Sequence, residues 1–374
     1  MDTFDVAIVG GGIIGGSIAF ELVRHNLRVV LLDRQQPGQE ASWAAAGMLS
    51  PPPDSPDSIP LVPLGRASLE LYPEFIAAVE ETSGRKVGYR PEGTIEAFFA
   101  GDAERELSTL IALHHGLGLP TEPLRLEDAH RLEPALSREA RAAALLPYEA
   151  SVDNRALTDA VLAAAAQQGV EFRAGVEVTA LLREAGRCVG VVAGSEKISA
   201  GQVVLAAGCY SAGIAGASRS APTRPVRGQM VALRSSRVTL RQVLRSPRGY
   251  IVPRNDGRLI VGSTLENAGF EKRLTPKGLA QILSAALEMA PELADAAVVE
   301  TWSGLRPDTP DHLPVLGPTD IEGLVIATGH YRNGILLAPV TAKLIGEWLT
   351  EQRTSFPWEA FSPLRFEAAR GASS

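Results

Sequence analysis

The stretch Asp5-Val-Ala-Ile-Val-Gly-Gly-Gly-Ile-Ile-Gly15 decides the fold of this 374-residue chain. Its apolar run from Val6 to Val9 is typical of a buried strand, and the glycines then turn the chain into an apolar helix over about residues 13–23. A second apolar run, Val29 to Leu32, ends on Asp33, about 20 residues after the glycines. Strand, glycine turn, helix, second strand and terminal acid together predict a dinucleotide-binding unit.

Each glycine of the G-x-G-x-x-G pattern has a separate task. Gly10 permits the tight turn, Gly12 lets the backbone approach a pyrophosphate, and Gly15 allows the helix to pack closely on the strand. The N–H groups at the helix start attract phosphate oxygens. Asp33 can accept hydrogen bonds from ribose hydroxyls, and its charge would repel a 2′-phosphate, which disfavours NADP. The motif alone leaves NAD and FAD both open.

Composition and charge narrow the class of protein. The length allows two domains, and a net charge of −7 without a basic run argues against nucleic-acid binding. No apolar run is long enough to cross a membrane, and the apolar N-terminus is interpreted as the first strand rather than a signal peptide. Cys188 and Cys209 are expected to be buried apolar side chains in a cytoplasmic protein, and no cysteine or histidine cluster indicates a metal site.

The rest of the chain alternates between apolar segments and turns. Ser50 to Pro63 contains six prolines, so it is expected to be neither helix nor central strand, and either a stiff surface connection or a lid. Helical periodicity predicts helices at about 66–82, 103–116, 126–134, 154–168, 275–289 and 334–349. Strands are predicted at about 170–172, 176–182, 188–192, 202–207, 225–233, 249–253, 259–262 and 324–328, with a hairpin region at 89–99.

This order of elements predicts an α/β fold in which a discontinuous Rossmann-like domain is interleaved with an antiparallel-sheet-plus-helices substrate domain. The chain leaves the nucleotide-binding unit after Asp33 and returns to it in later segments. The nucleotide-binding domain is expected to comprise residues 1–80, 145–220 and 305–364. The substrate domain is expected to comprise residues 81–144 and 221–304, and residues 365–374 form a tail.

Five stretches of the chain resemble the D-amino-acid-oxidase-like family of FAD-dependent oxidoreductases. They are Gly10 to Gly15, Ala44 to Leu49, Tyr250 to Arg254, Gly304 to Pro307 and Gly329 to Pro339. The last two are far more specific than the glycine pattern, and the five together run along nearly the whole chain. Within the family, the chain is most similar to the branch that oxidises glycine for thiamine biosynthesis.

The resemblance implies an activity and a cofactor. The expected cofactor is non-covalent FAD, because neither cysteine falls in a flavin-facing motif. The expected reaction is oxidative deamination of glycine or another small amino acid, with hydride transfer from Cα to flavin N5. Dioxygen would reoxidise the flavin, so that glycine, oxygen and water give glyoxylate, ammonia and hydrogen peroxide. The family also suggests a cytoplasmic homotetramer.

Three residues are candidates for contact with the substrate. By chemistry alone, Arg306 could hold a carboxylate through its planar guanidinium or form a surface salt bridge. The resemblance implies that it clamps the substrate carboxylate, that Tyr250 is a hydrogen-bond partner and that Arg332 lies near the substrate. No necessary general base is identified, because Asp308 and Asp311 lie near Arg306 in sequence and are expected to pair with it. Arg248 either tunes selectivity or faces solvent.

The resemblance also implies which residues contact FAD. They belong to the glycine turn, the end of the second strand, the small-residue segment after it, one later strand and the loop before the last helix. The expected set is Gly10, Gly12, Ile13, Ile14, Gly15, Asp33, Arg34, Ala41, Ser42, Ala46, Gly47, Met48, Val176, His330, Tyr331, Arg332, Asn333, Gly334, Ile335 and Leu336.

Other functions remain open at the level of the sequence. Within enzymes, the alternatives are a sarcosine or D-amino-acid oxidase, a dehydrogenase that uses a quinone, and an NAD dehydrogenase. Outside enzymes, the alternative is a non-catalytic dinucleotide-binding redox sensor, which needs the glycines and Asp33 but has no need of Arg306.

Overall fold

Two eight-stranded β-sheets form the framework of the chain, and a computed structural model describes residues 4–51 and 56–366. The strands are β1 (Phe4–Val9), β2 (Val29–Asp33), β3 (Met48–Leu49), β4 (Thr94–Phe98), β5 (Glu122–Leu124), β6 (Ala142–Leu146), β7 (Ala150–Ser151), β8 (Glu171–Ala174), β9 (Ala180–Glu184), β10 (Arg187–Ala193), β11 (Glu196–Leu205), β12 (Arg224–Arg234), β13 (Val243–Ser246), β14 (Gly249–Pro253), β15 (Arg258–Gly262), β16 (Ala297–Asp308), β17 (Val315–Pro318) and β18 (Leu324–Thr328). The α-helices are α1 (Ile13–Val23), α2 (Ala41–Ala44), α3 (Leu61–Ser83), α4 (Ala103–Gly116), α5 (Leu126–Leu132), α6 (Asn154–Gln167), α7 (Pro276–Met289) and α8 (Gly334–Glu351).

The first sheet carries the nucleotide-binding unit that the glycine pattern predicts. Six of its strands have the order β17-β18-β11-β1-β2-β8, in which all but β17 run parallel. The other two, β10 and β9, extend from β11 in antiparallel pairing. Strand β1 is apolar on both faces because both are covered. Ile8 and Ile18 belong to a core with α1, α3, α6 and α8, whereas Ala7 and Val30 belong to a second core with β10 and β11. Complete burial of a side chain such as Ile18 contributes about 1.5–3 kcal/mol.

The second sheet has the order β16-β12-β15-β14-β13-β4-β6-β5 and is antiparallel except where β13 meets β4. Period-2 alternation divides its residues between two environments. Ile251 and Val261 pack under α7, while Tyr250, Val252 and Met230 face the small-residue segment that contains Ala44. The strands of this sheet come from the middle of the chain, between segments that form the first sheet. The predicted interleaved α/β fold is therefore confirmed.

Some predicted elements match the observed ones, and others differ. Strands β14 and β18 have the predicted bounds. The predicted hairpin over 89–99 is wrong, because β4 pairs with β6 and β13 and only a single β-bridge from Arg90 to Ser151 precedes it. Strand β16 was not predicted, since Gly304 and Pro307 near its end are residues typical of a turn.

The proline-rich segment departs from its prediction at its C-terminal end. Pro56–Ser58 form a 3₁₀ helix, and α3 begins at Leu61 rather than near Arg66. Pro63 lies in the first turn of α3, where a backbone N–H has no intrahelical partner and proline is tolerated. Residues 52–55 lie outside the described residues, so the choice between a surface connection and a lid stays a prediction there.

Candidate active site

A cavity of about 780 Å³ lies between the two sheets and collects most of the predicted site residues. Two of the predicted site residues, Gly15 and Leu336, do not line the cavity. Gly15 is packed against Gly10, and Leu336 is buried in the core with its carbonyl oxygen accepting a hydrogen bond from Ser68. The predicted residues on the cavity wall are Gly10, Gly12, Ile13, Ile14, Asp33, Arg34, Ala41, Ser42, Ala46, Gly47, Met48, Val176, Tyr250, Arg306, His330, Tyr331, Arg332, Asn333, Gly334 and Ile335.

The glycine turn between β1 and α1 forms one wall. Gly10 has a φ of +108°, and a Cβ there would lie 2.4 Å from the carbonyl oxygen of Ala206. The N–H groups of Gly12 and Ile14 donate to no group in the described part of the chain, while Ile13 donates to Ser42 Oγ over 2.8 Å. Backbone donors without an acceptor among the described residues, at a helix start with no side chain on Gly12, fit the pyrophosphate of FAD.

Asp33 and Arg34 follow β2 at the edge of the cavity. The Asp33 carboxylate accepts hydrogen bonds from the N–H groups of Gly11 and Gln35 over 2.7 and 2.8 Å, and burial raises its pKa. The Arg34 guanidinium stacks on Tyr210 at 3.5 Å from the ring centroid. This corner fits the adenosine end of a dinucleotide, because a carboxylate and a planar stack lie side by side.

The small-residue segment 41–48 is held in an irregular path by donors from distant parts of the chain. Asn154 donates to the carbonyl oxygens of Ser42 and Trp43, and the buried Arg254 donates to Ala46 over 2.7 Å. A Cβ on Gly47 would lie 2.0 Å from the carbonyl oxygen of Val152. Small side chains here leave the cavity open for a flat ligand.

Arg306 projects from β16 and lines the cavity. Its guanidinium donates to Ser263 Oγ over 2.7 Å and to the carbonyl oxygen of Thr264 over 3.2 Å. No carboxylate in residues 4–51 and 56–366 forms a salt bridge with it. Burial lowers the pKa of Arg306, the Tyr250 phenol raises it and the charge of Arg332 lowers it. The structure therefore brings Tyr250 and Arg332 close to Arg306, whose guanidinium can bind an anion.

Two glycines that the sequence analysis missed shape this corner. The Arg306 guanidinium lies against Gly228, where a Cβ would come within 2.3 Å of Nη1. Tyr250 is 7% exposed and lies over Gly262 with its hydroxyl 3.6 Å from Met230 Sδ. A glycine inside a predicted strand signals a close approach of this kind, and both positions carried that signal.

The loop before α8 forms the remaining wall. Tyr331 has a φ of +49° and donates its N–H to the carbonyl oxygen of Pro307 over 2.9 Å, which ties the loop to the strand of Arg306. His330 is buried, with Nε2 3.1 Å from Thr341 Oγ1, and burial lowers its pKa to about 3. The first turn of α8 begins at Gly334 on the cavity wall, so its positive end is directed at the cavity.

The carboxylates near Arg306 in sequence do not pair with it. Asp308 is bound by Arg224 over 2.8 Å and by His312 over 2.6 Å, and Asp311 is bound by Arg365 over 2.7 Å. The expectation that they pair with Arg306 is therefore wrong, because each carboxylate is held by a different arginine from elsewhere in the chain. Neither Asp308 nor Asp311 lines the cavity.

Other groups on the cavity wall were not predicted from the sequence. Ser50, Glu96, His114 and Arg245 lie on its wall, brought together from the end of β3 and from β4, α4 and β13. Arg248 also lies on the wall but is exposed and bound to Glu288 of α7. The missed signal was a charge inside an otherwise apolar strand, as in the sequence of β4.

The described residues contain neither a metal-binding cluster nor a membrane-spanning helix. No three His, Cys, Asp or Glu side chains among them could hold a metal ion. None of the helices in this part of the chain is long and apolar enough to cross a membrane. Cys188 and Cys209 are both buried free thiols.

Comparisons with known proteins agree with this geometry. Residues 5–348 match the family model DAO, described as FAD dependent oxidoreductase. The chain is 34% identical to the glycine oxidase of Geobacillus kaustophilus over 97% of both proteins. It is 38% identical to the bifunctional protein ThiO/ThiG of Synechocystis sp., over 97% of this chain, and it spans about half the length of that relative, 54%.

Solved structures give the same result. The crystal structure of glycine oxidase from Geobacillus kaustophilus superposes with a TM-score of 0.91 at 33% identity, covering 98% of this chain and 99% of the other. An L-proline dehydrogenase from P. horikoshii, at 23% identity and a TM-score of 0.87, shares the fold. The chain belongs to the DAO family of FAD-dependent oxidoreductases and is an enzyme that uses FAD.

Proposed function

We propose that this enzyme catalyses the FAD-dependent oxidative deamination of glycine and other small amino acids, and that it serves thiamine biosynthesis. The names of the relatives, glycine oxidase and ThiO/ThiG, support this substrate and pathway. The observation that carries the proposal is Arg306, a half-buried cation with no carboxylate partner among the described residues. It shares one cavity with the dinucleotide-binding turn.

The residues around the cavity would bind and orient the substrate. Arg306 would hold the carboxylate through two parallel N–H···O bonds, and Tyr250 would donate a further hydrogen bond from its phenol. These contacts fix the position of Cα, and positioning of this kind can supply several kcal/mol of the rate enhancement. FAD, when bound, supplies the acceptor for a hydride from Cα, at its N5 atom.

Proton transfer needs no dedicated base in this arrangement. Asp308 and Asp311 are engaged by other cations and lie outside the cavity. His330 is buried against Thr341, so its imidazole is a support for the loop. The substrate amine would enter the reaction in its neutral form, and the resulting imine would hydrolyse to glyoxylate and ammonia.

Further features of the proposal follow from the family resemblance. Dioxygen would be the electron acceptor and hydrogen peroxide a product. The enzyme would work in the cytoplasm as a homotetramer, and its two buried free thiols fit a reducing compartment. The domain bounds would be 1–80, 145–220 and 305–364 for FAD, and 81–144 and 221–304 for the substrate; β16 crosses the bound at 304/305.

A product assay tests the function. Purified holoenzyme is incubated with glycine, and oxygen uptake, peroxide, glyoxylate and ammonia are measured in parallel. Equal amounts of all four support the proposal. Glyoxylate formation that needs a quinone in place of oxygen would replace the oxidase by a dehydrogenase. Turnover of sarcosine, D-alanine or D-proline without turnover of glycine would contradict the proposed substrate.

A further inference from the structure

The cavity continues beyond Tyr250 along the face of the second sheet. Tyr250 on β14 is paired directly with Arg245 on β13, and Arg245 is paired with Glu96 on β4. Directly paired residues share a sheet face, and all three line the cavity. With strands about 4.8 Å apart, the backbone at Glu96 lies about 10 Å from that at Tyr250. Glycine bound at Arg306 is too small to reach it.

The charges in this part of the cavity are unequal. The side chain of Arg245 donates to Glu96, to Ser50 Oγ over 2.9 Å and to both oxygens of Glu149 over 3.0 and 3.2 Å. Glu96 and Glu149 thus share the single guanidinium of Arg245. Their side chains are 9% and 1% exposed, respectively. No other cation in the described part of the chain forms a salt bridge with either.

Two neighbouring groups, His114 and Arg248, do not neutralise the excess negative charge of Glu96 and Glu149. His114 lies on the same wall, and burial lowers its pKa, so its imidazole adds no charge near neutral pH. Arg248 is exposed and is bound by Glu288 at 2.9 Å. An excess negative charge next to a cavity is costly unless a cation approaches it.

Glu96 is the group through which a ligand could reach this charge. Its Oε2 atom accepts the hydrogen bond from Arg245, while Oε1 accepts none from any described residue. Leu110, one turn before His114 in α4, and Leu113, next to it, also line the cavity and provide apolar contacts for methylene groups. A carboxylate oxygen at the end of an apolar passage suits an ammonium group on a short alkyl chain.

We propose that Ser50, Glu96, His114 and Arg245 form a second subsite, the polar annex, that binds the ammonium group of a substrate whose carboxylate is held by Arg306. The inference rests on the proposed function, since it uses Arg306 as the anchor. It names a substrate class beyond glycine: amino acids or N-substituted glycines that carry a second ammonium two or three methylene groups from the reacting carbon or nitrogen.

Matched substrate pairs test the polar annex. N-(2-aminoethyl)glycine is compared with N-propylglycine, and D-ornithine with D-norleucine, so that each pair differs in a terminal ammonium or methyl group. In the wild-type holoenzyme, kcat/KM should favour the ammonium member of at least one pair by about tenfold, the effect of one charged hydrogen bond. Glu96→Gln should bring that ratio close to one.

Two further variants show whether a change in the ratio comes from the charge in the polar annex or from impaired folding. Leu113→Lys places a cation at an exposed position on the cavity wall and should lower the same ratio without removing a buried group. Glu122→Gln, at an exposed position of the same sheet outside the cavity, should leave the ratio unchanged. Glycine oxidation with no ammonium preference in either pair would overturn the polar annex alone. Failure to oxidise glycine would instead overturn the proposed function.

Discussion

At the scale of single residues, the carboxylate site depends on Gly228 as much as on Arg306. The guanidinium occupies the space where a Cβ of residue 228 would stand, 2.3 Å from Nη1. Because this atom is at the end of a flexible side chain, a methyl group there would move the guanidinium more readily than it would distort the sheet. Position 228 thus controls where the positive charge lies.

The variant Gly228→Ala should raise the KM for glycine by about tenfold or more, because a displaced guanidinium loses one of two charged hydrogen bonds. The free energy of unfolding should fall by only about 1–3 kcal/mol, the usual effect of overpacking. Steady-state kinetics and urea unfolding measure the two. Gly116→Ala, where the added methyl group meets open space, is the control. An unchanged KM would contradict this placement of Arg306.

At the scale of elements, α8 directs its N-terminus at the cavity. Gly334 is its first residue and lines the cavity, and a Cβ there would meet only His330 Cβ at 3.7 Å. A side chain therefore fits, and the positive end of the helix can stabilise a reduced flavin with negative charge.

Replacing Gly334 by aspartate should reverse this field without unfolding the helix, because acidic residues are favourable in a first helical turn. We expect a lower flavin midpoint potential and slower reduction by glycine, with Gly334→Ala close to wild type. Spectroelectrochemistry and stopped-flow absorbance provide the two readouts. A potential equal in both variants would show that α8 does not act on the flavin.

The elements that could be predicted are those whose pattern lies within a short stretch of sequence. The turn around Gly10 and strand β14 follow from glycine positions and period-2 alternation within ten residues. Strand β16 and the N-terminal turn of α3 were missed, because their prolines are accommodated by context that local sequence does not contain. The polar annex was missed because Glu96 and Arg245 meet only through strand pairing over 149 residues.

At the scale of the whole molecule, the buried His330 couples stability to pH. Burial lowers its pKa in the folded enzyme to about 3, while in the unfolded chain the pKa is about 6.5. As the pH falls below about 6.5, the unfolded chain binds a proton that the folded enzyme does not. The free energy of unfolding therefore falls by about 1.4 kcal/mol per pH unit from this group, until about pH 3.

The variant His330→Gln should lose this part of the pH dependence of the unfolding free energy, because glutamine does not titrate. It keeps a polar partner for Thr341. Between pH 7 and pH 5, wild-type holoenzyme should lose about 2 kcal/mol more unfolding free energy than the variant. Urea denaturation at both pH values, with FAD in excess, measures the difference. Equal losses in the two proteins would mean that the imidazole can be protonated in the folded state.

The visible spectrum of the holoenzyme, mixed with glycine in the absence of oxygen, tests most directly whether Arg306 binds the substrate of a flavin reaction. We predict that the flavin bands of the wild type bleach and return when air is admitted. Arg306→Ala should retain the bands but bleach about a hundredfold more slowly, because the carboxylate loses its charged contact. Arg237→Ala, at a surface pair with Asp295, should behave as wild type. Bands that glycine leaves unchanged in the wild type, or that bleach equally fast in Arg306→Ala, would contradict the account.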